Sequence, residues 1–289
     1  MIKSSELIIN EDGSIFHLHL KPEQLADNVI LVGDPGRVES IAKLLTDIEF
    51  KVQNREFVST TGRYNNRRIT VVATGIGTDN IDIVVNELDA LANINLTTRE
   101  INPDFRKLNL VRIGTSGGLQ DYLPVNSFVV SEKAIGFDGL LNFYARRNEV
   151  SDLPFEEAFR KHTYWGKQLT SPYVVNCSET LFSKIHQEDT HAGVTISAPG
   201  FYGPQGRVLR LPLADPDLNE KIESFQFEGK KITNFEMECS AIYGLSKLLG
   251  HDALTICLII ANRVNKEANS NYHPSMESLI KLVLDRITH

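Results

Sequence analysis

Cysteine, long apolar runs and targeting sequence are scarce or missing in this chain of 289 residues. The three cysteines are widely spaced and form no C-x-x-C pair, which predicts a reducing, cytoplasmic location rather than a disulfide framework. No stretch of about 18 consecutive apolar residues exists, so we expect no contact with a membrane. The first residues, Met1–Glu6, lack the apolar core of a secretory signal.

The chain also lacks an excess of positive charge. Its 30 Lys and Arg residues are outnumbered by 37 Asp and Glu residues, and the formal net charge is -7. This balance argues against a nucleic-acid backbone as the main partner, because such partners select basic surfaces. Any bound phosphate must therefore be held by local arginines.

No low-complexity segment, internal repeat or linker rich in proline, glycine and serine divides the chain. The hydrophobic content of 42% is sufficient for a substantial core. We therefore predict a single domain over residues 1–289. Two segments, 93–107 and 143–172, interrupt the regular pattern and are interpreted as insertions that could form a lid or a subunit contact.

Strand-like and helix-like segments alternate along the chain. The strands are predicted near residues 29–32, 69–73, 109–114, 127–131, 193–198 and 254–261. The helices are predicted near residues 36–46, 79–92, 178–188, 216–225 and 236–249. This alternation predicts an α/β fold, with a mostly parallel or mixed β-sheet flanked by helices on both faces.

Three apolar runs lead into glycine-rich turns: Val29–Val32 into Gly33–Arg37, Val71–Ala73 into Thr74–Thr78, and Asn109–Val111 into Arg112–Gly118. Ligands of open α/β sheets collect at the carboxyl ends of strands, so the three turns could converge on one site. The first and third turns each carry an arginine, whose planar fork matches the geometry of phosphate. The alternative is purely structural, because tight turns need glycine and neither arginine-bearing turn is a nucleotide-binding fingerprint.

Residues Phe201–Arg207 place two aromatic rings, an amide and a guanidinium in one loop. A planar polar heterocycle would suit this set, since a base stacks on an aromatic ring. Gln205 presents a donor and an acceptor side by side, and Arg207 can donate to a ring carbonyl. An ordinary polar surface turn is the alternative.

The segment Asn234–Ala241 is predicted to open a helix, with Asn234 as the N-cap and Glu236 and Glu238 in the first turn. The two carboxylates then need no further explanation. The functional alternative is that one of them accepts hydrogen bonds from the vicinal hydroxyls of a ribose, while Met237 packs on the sugar ring.

A metal site is a weaker hypothesis, prompted by His17 and His19. In a strand these two side chains would share a face, but no third ligand is apparent from the spacing. We therefore predict no metal site.

Motifs along nearly the whole chain resemble those of the nucleoside phosphorylase-I family, and within it those of the uridine phosphorylases. The matching motifs, in order, are Phe16-His17-Leu18, Gly33-Asp34-Pro35-Gly36-Arg37, Arg55-Glu56-Phe57, Thr74-Gly75-Ile76-Gly77, Arg112-Ile113-Gly114-Thr115, Gln205-Gly206-Arg207, Glu236-Met237-Glu238 and Asn262-Arg263. Any one of them is weak evidence alone. Their occurrence in the family's order makes the resemblance strong, and it favours the functional alternatives given above.

The resemblance implies a role for each matching residue. The phosphate-binding positions are Gly33, Arg37, Arg112 and Thr115, with Arg55 reaching the phosphate from a neighbouring subunit. The ribose-binding positions are Met237 and Glu238, with Glu236 adjacent, and His17 lent by the neighbour. The base-binding positions are Phe201, Gln205, Arg207 and Arg263, and the catalytic positions are Arg112, Gln205 and Arg207.

The resemblance also implies partners. Inorganic phosphate and a nucleoside are the substrates, no organic cofactor is needed, and the active unit is a homo-oligomer with a dimer as its minimum and a hexamer as a further option. A structural monovalent cation is a feature of the family near Glu56, but the turn Gly77-Thr78-Asp79-Asn80 departs from the sequence that many bacterial members have there.

The implied reaction is phosphorolysis of a pyrimidine nucleoside, in which uridine and phosphate give uracil and ribose 1-phosphate for nucleotide salvage. Purine-specific relatives place an aspartate after the late apolar strand, whereas this chain has Ile260-Ala261-Asn262-Arg263 there. The alternatives are a purine nucleoside phosphorylase or a nucleosidase of the same fold, or a nucleoside-binding protein without activity.

Overall fold

The computed structural model describes every residue from Met1 to His289. The strands are β1 (Asn28–Val32), β2 (Thr46–Asn54), β3 (Phe57–Tyr64), β4 (Arg67–Ala73), β5 (Ile94–Asn95), β6 (Glu100–Ile101), β7 (Asn109–Gly118), β8 (Phe128–Gly136), β9 (Tyr173–Asn176), β10 (His191–Ser197), β11 (Gln226–Phe227), β12 (Lys230–Glu236), β13 (Asp252–Asn262) and β14 (Glu267–Ala268). The α-helices are α1 (Pro35–Ala42), α2 (Thr78–Asn93), α3 (Arg147–Val150), α4 (Leu153–Thr163), α5 (Glu179–Ile185), α6 (Leu218–Ser224), α7 (Cys239–Leu249) and α8 (His273–Thr288).

Twelve strands form one mixed sheet, and five of them close into a ring. The order is β11-β12-β10-β8-β13-β7-β1-β4-β3-β2, with β9 beside β8 and β14 beside β13. Because β12 pairs with β10 on one side and with the end of β7 on the other, strands β7, β13, β8, β10 and β12 close on themselves. The predicted α/β fold with a mixed, helix-flanked sheet is confirmed, and the ring is an addition that alternation alone does not reveal.

Strand β7 is longer than predicted. The residues expected to form a glycine-rich turn, Gly114–Gly118, continue the strand and pair with β13, while Gly117 and Gly118 also pair with β12. A Cβ on Gly114 would overlap the guanidinium of Arg112, which folds back over its own strand. Glycine is therefore present at this position to make room for a neighbouring side chain, and the prediction of a turn was wrong.

The helix predicted near residues 236–249 is present, but its predicted start with Asn234 as the N-cap was wrong. Asn234 and Glu236 lie in β12, and helix α7 begins at Cys239 with Glu238 as its N-cap residue. The side chain of Asn234 accepts hydrogen bonds from Thr195 at 2.9 Å and from Thr233 at 2.8 Å, so it secures the packing of β10 against β12. Pairing of β12 with two neighbours thus overrides the local signal for a helix start.

Several elements were not predicted: the hairpin of β2 and β3, strand β12 and the C-terminal helix α8. Helix α8 buries Met276, Leu279, Ile280, Val283 and Leu284 against the core. The hairpin extends the sheet beyond β4, strand β12 closes the ring, and α8 packs on the main hydrophobic cluster, which contains 51 buried residues.

The two irregular segments differ in their packing. Residues 93–107 hold only the short hairpin of β5 and β6, whereas residues 143–172 contain α3 and α4. In α4, Phe155 and Phe159 are fully buried in a second cluster of 13 residues with Phe225 and Phe235. Their status as insertions, as a lid or as a subunit contact stays a prediction.

The segment around His17 and His19 is not a strand. It forms turns, and His19 has a positive φ of 52°. The shared strand face on which the metal hypothesis depended is therefore absent. None of the helices combines the length and hydropathy that crossing a membrane requires.

Candidate active site

A cavity of about 590 Å³ opens where β1, β7, β12 and β13 end or bend and where the loop after β10 folds over them. All three glycine-rich segments reach it, through Gly33, Ile76 and Arg112. Ten of the thirteen predicted site residues line its wall, namely Gly33, Arg37, Arg112, Thr115, Phe201, Gln205, Arg207, Glu236, Met237 and Glu238.

Two buried arginines occupy one end of the cavity. Arg37 lies in the first turn of α1, which Asp34 caps by accepting a hydrogen bond from the amide of Gly36 at 2.9 Å. The Arg37 guanidinium donates to the carbonyl of Ile113 in β7 at 3.2 Å and forms no ion pair. Burial and the nearby charge of Arg112 lower the pKa of Arg37. A bound anion would relieve both effects, so this end of the cavity suits an oxyanion.

Arg112 is held by two carboxylates that approach from the other side of the ring. Its Nη2 contacts Glu238, and its Nη1 lies 3.2 Å from Oε2 of Glu236. Although burial opposes it, the charges of Glu238 and Glu236 raise the pKa of Arg112. The Nε of Arg112 is buried without a partner, and an unsatisfied buried donor costs about 1–3 kcal/mol.

Glu236 and Glu238 differ in their surroundings. Glu238 also accepts a hydrogen bond from the amide of Gly77 at 2.7 Å, which ties the third glycine-rich segment to the site. Glu236 accepts from the amides of Glu238 and Cys239, both at 2.9 Å from its Oε2. Burial raises the pKa of Glu236 to about 7, with Arg112 opposing the shift.

The opposite end of the cavity carries the aromatic and amide groups of the loop after β10. Nη1 of Arg207 donates to Oε1 of Gln205 at 2.6 Å, and its guanidinium lies 3.7 Å from the centre of the Phe201 ring. Because Gln205 uses its carbonyl on Arg207, its amide NH₂ is the group left to donate into the cavity. The arrangement presents donors to a planar ligand beside an exposed aromatic ring.

Arg263 does not line the cavity. Its guanidinium lies behind the loop, where it donates to the backbone carbonyl of Gln205 and sits 5.5 Å from the Phe235 ring centre. Burial and the charge of Arg207 lower the pKa of Arg263 to about 10. Direct contact with a base is therefore not what this structure shows, and a supporting role behind Gln205 fits the geometry better.

The two residues expected to come from a neighbouring subunit lie away from this chain's own cavity. His17 contacts Glu87 of α2, with Nδ1 2.6 Å from Oε1. Arg55 is exposed in the turn between β2 and β3 with a positive φ of 53°, and its guanidinium lies 5.8 Å from the Phe16 ring centre. Since Asn54 donates to the carbonyl of His17 at 2.8 Å, the two residues share one surface region.

Comparison with known proteins agrees with this geometry. Residues 27–286 match the family model described as the phosphorylase superfamily. The chain belongs to the phosphorylase superfamily.

Relatives within the superfamily include two uridine phosphorylases. That of Thermococcus kodakarensis is 29% identical over 272 residues, which cover 91% of this chain and 83% of the relative. That of Haemophilus influenzae is 30% identical over 268 residues, which cover 88% of this chain and 89% of the relative. A purine nucleoside phosphorylase of Listeria welshimeri is 25% identical over 244 residues, which cover 84% of this chain and 85% of the relative.

Among solved structures, a Trypanosoma brucei nucleoside phosphorylase, whose structure is described as showing uridine phosphorylase activity, superposes with a TM-score of 0.88. It is 29% identical, and the match covers 98% of this chain and 100% of the other. The resemblance to nucleoside phosphorylases that the motifs indicate is thereby confirmed, while the base that this member of the superfamily accepts is left open by relatives of both kinds.

Other residues that line the cavity were missed from the sequence. Ser116, Phe235, Ile260 and Tyr272 line the cavity but were not singled out. Ser116 and Ile260 lay beside quoted motifs, so strand periodicity could have found them. Tyr272 precedes the unpredicted helix α8, and no local signal marks its approach to the cavity.

No group of three or more His, Cys, Asp or Glu residues is placed to hold a metal ion. Glu56 is exposed, with its Cγ near the backbone of Gly75. A cation near Glu56 stays a prediction.

Proposed function

We propose that this protein catalyses the phosphorolysis of uridine, giving uracil and ribose 1-phosphate. The observation that supports it is a single cavity with two buried arginines at one end and the Gln205–Arg207 pair beside Phe201 at the other. The first end suits inorganic phosphate and the second suits a uracil edge. The carboxylate of Glu238 and the thioether of Met237 lie on the wall of the same cavity, where a ribose would be placed.

In the proposed reaction, a phosphate oxygen attacks C1′ of the nucleoside as the bond to the base nitrogen breaks. The electron pair of that bond leaves with the base, so negative charge develops on uracil. Phosphate is the nucleophile and no protein nucleophile is required. Catalysis then depends on positioning by Arg37 and Arg112 and on donors at the departing base, which Gln205 and Arg207 supply.

Asn262 favours a pyrimidine over a purine. Its side chain is buried and fully engaged, donating to the carbonyls of Gln120 at 2.8 Å and Leu123 at 2.6 Å. It also accepts from the amides of Val264 and Asn265. This position therefore holds the loop after β13 and offers no acid to protonate a purine nitrogen.

We further propose a homodimer as the minimal active unit. His17 and Arg55 lie together on the surface and outside their own cavity, as residues lent to a neighbour would. Replacing Arg55 with alanine should raise the phosphate KM without lowering the unfolding midpoint, since this exposed side chain forms no ion pair. Unchanged phosphate kinetics would remove Arg55 from the site.

A phosphate-dependence assay tests the function. Purified protein is incubated with uridine, thymidine, inosine or adenosine, with and without inorganic phosphate, and base release is followed by chromatography. The proposal predicts uracil release from uridine only when phosphate is present. Equal turnover of inosine would refute the base assignment, release without phosphate would indicate a nucleosidase, and uridine binding without turnover would indicate a binding protein.

A further inference from the structure

Ser197, the last residue of β10, is fully buried and lies outside the cavity wall. Its hydroxyl donates to Oε1 of Glu236 at 2.5 Å and accepts a hydrogen bond from the amide of Ser240 at 2.8 Å. The backbone amide of Ser240 can only donate, so the Ser197 hydroxyl uses its own proton to donate to the Glu236 carboxylate. Ser197 thereby joins the end of β10 to the end of β12 and to the first turn of α7.

The Glu236 carboxylate is in turn enclosed by donors. Its Oε1 accepts hydrogen bonds from the Ser197 hydroxyl and the amide of Cys239. Its Oε2 accepts hydrogen bonds from the amides of Glu238 and Cys239 and lies close to Nη1 of Arg112. Such a group cannot swing toward a ligand without losing several of these contacts. Glu236 is therefore a fixed anchor for the guanidinium, in contrast to Glu238, which has fewer protein donors.

We propose that Ser197 is a positioning residue, which orients Glu236 so that its charge holds Arg112 in the phosphate subsite. This inference rests on the proposed function and deepens it. The hydroxyl stabilises the ionised form of the carboxylate, and only the ionised form attracts the guanidinium. Without the hydroxyl, Glu236 takes up a proton more readily, and Arg112 loses one of the two charges that fix it.

The charged and titratable groups that face Glu236 come from three elements. Arg112 of β7 lowers the pKa of the carboxyl, and Glu238 beside it raises the pKa. Cys257 of β13 and Cys239 of α7 are buried thiols whose own pKa values are raised mainly by burial, so both stay neutral. Behind Ser240, the buried carboxyl of Asp138 accepts from the Ser240 hydroxyl at 3.0 Å, and burial raises its pKa.

The test is the pH dependence of the phosphate KM in the Ser197→Ala variant. A hydrogen bond to a charged group corresponds to about tenfold or more in an equilibrium constant, so we expect the phosphate KM near neutral pH to rise by about tenfold. The acid limb of the profile should move to higher pH, while the uridine KM changes much less. Phosphate ionises identically in both assays, so its own titration cancels in the comparison.

Thr195→Val is the matched control. Thr195 lies on the same strand, is fully buried, shares a hydrogen bond of 2.6 Å with Ser131 and donates to Asn234 at 2.9 Å. Its hydroxyl makes no contact with Glu236 or Arg112. This variant should lose stability without moving the pH profile, which separates a positioning role from general loosening of β10.

Repeating the Ser197→Ala substitution in a variant without the Glu236 carboxylate tests whether the effect acts through that carboxylate. In Glu236→Gln, which cannot ionise, adding Ser197→Ala should cause no further shift of the acid limb. Should Ser197→Ala fail to fold, Ser197→Cys keeps a weaker donor of similar size and should give a smaller shift in the same direction. Superimposable profiles for wild type and either Ser197 variant would overturn the inference. Absence of phosphorolysis in the wild type would instead overturn the proposed function.

Discussion

Replacing Arg112 with methionine should damage both the binding of phosphate and the stability of the fold. Methionine fills much of the same volume but carries no charge. The variant leaves Glu236 and Glu238 beside each other with side-chain exposures of only 1% and 4%, so water replaces the guanidinium poorly. We therefore expect a loss of phosphate binding and a loss of stability, because Arg112 both faces the phosphate end of the cavity and neutralises two buried carboxylates.

The size of the stability loss can be estimated from these contacts. Removing one partner of a buried ion pair costs about 3–5 kcal/mol, because the remaining charge is buried and uncompensated. For a large domain this corresponds to a fall of about 6–20 °C in the unfolding midpoint. The phosphate KM should rise by about 30-fold or more, the usual effect of truncating a hydrogen-bonded charged contact.

The pH dependence has a definite sign. The pKa of Glu236 in the folded protein, about 7, lies above its ordinary value of 4.5, and loss of Arg112 raises it further. The folded state then binds a proton more tightly than the unfolded chain, so acidification favours folding. The part of the variant's deficit that comes from Glu236 should therefore grow as the pH rises from about 7 toward the variant's own, higher pKa, and it should vanish well below pH 7, where Glu236 is protonated in both proteins.

Arg37→Met is the control within the same subsite. Arg37 is also buried, but its guanidinium contacts only the carbonyl of Ile113 and no carboxylate. Its removal relieves the repulsion from Arg112 and leaves no buried charge alone. We expect a comparable rise in the phosphate KM with a loss of stability of about 1 kcal/mol or less.

Calorimetry or denaturant unfolding at pH 6 and pH 8, about one unit either side of the Glu236 midpoint, checks the stability, and steady-state kinetics check the phosphate KM. An Arg112→Met protein as stable as the wild type at the higher pH would refute the reasoning, because it would show that the carboxylates do not depend on this guanidinium. Equal losses of stability in both arginine variants would do the same.

Three further predictions concern other parts of the molecule. Gln205→Ala should lower kcat for uridine by about 10²- to 10³-fold, because a donor to the departing base is lost; an effect on the uridine KM alone would contradict that role. Phe159→Ala should lower the free energy of unfolding by about 3–5 kcal/mol, since the ring is fully buried and its centre lies 5.3 Å from that of Phe225. A loss below about 1 kcal/mol in urea unfolding would assign α4 to a loosely attached lid. Tyr243→Phe should cost about 1–3 kcal/mol without changing the phosphate KM, because the hydroxyl donates to Ser131 at 2.6 Å and accepts from the amide of Thr255 at 2.8 Å; an unchanged unfolding midpoint would argue against these two bonds.

The sequence alone determined the elements with a strong local pattern. Strands such as β1 and β13 are rich in β-branched residues, and α2 shows the helical spacing of Ile81, Val84, Val85 and Leu88, so their positions were predicted closely. Helix α8 carries the same helical spacing and could have been found, whereas β2 is mostly exposed and has little apolar alternation. The motif order also identified the family, since each motif is a local string of residues.

Only the tertiary structure decided how the site is held together. Arg112 and Glu238 are 126 positions apart, and they meet because β12 closes the ring against the end of β7. No local pattern reports that closure, which is why the glycines of β7 were taken for a turn and Glu236 for a helix residue. Burial in this ring raises the pKa of Glu236, and the partners of Arg112 follow from long-range strand pairing. The sequence thus determined which chemical groups are present, while pairing between distant strands decided which of the charged groups form ion pairs with one another.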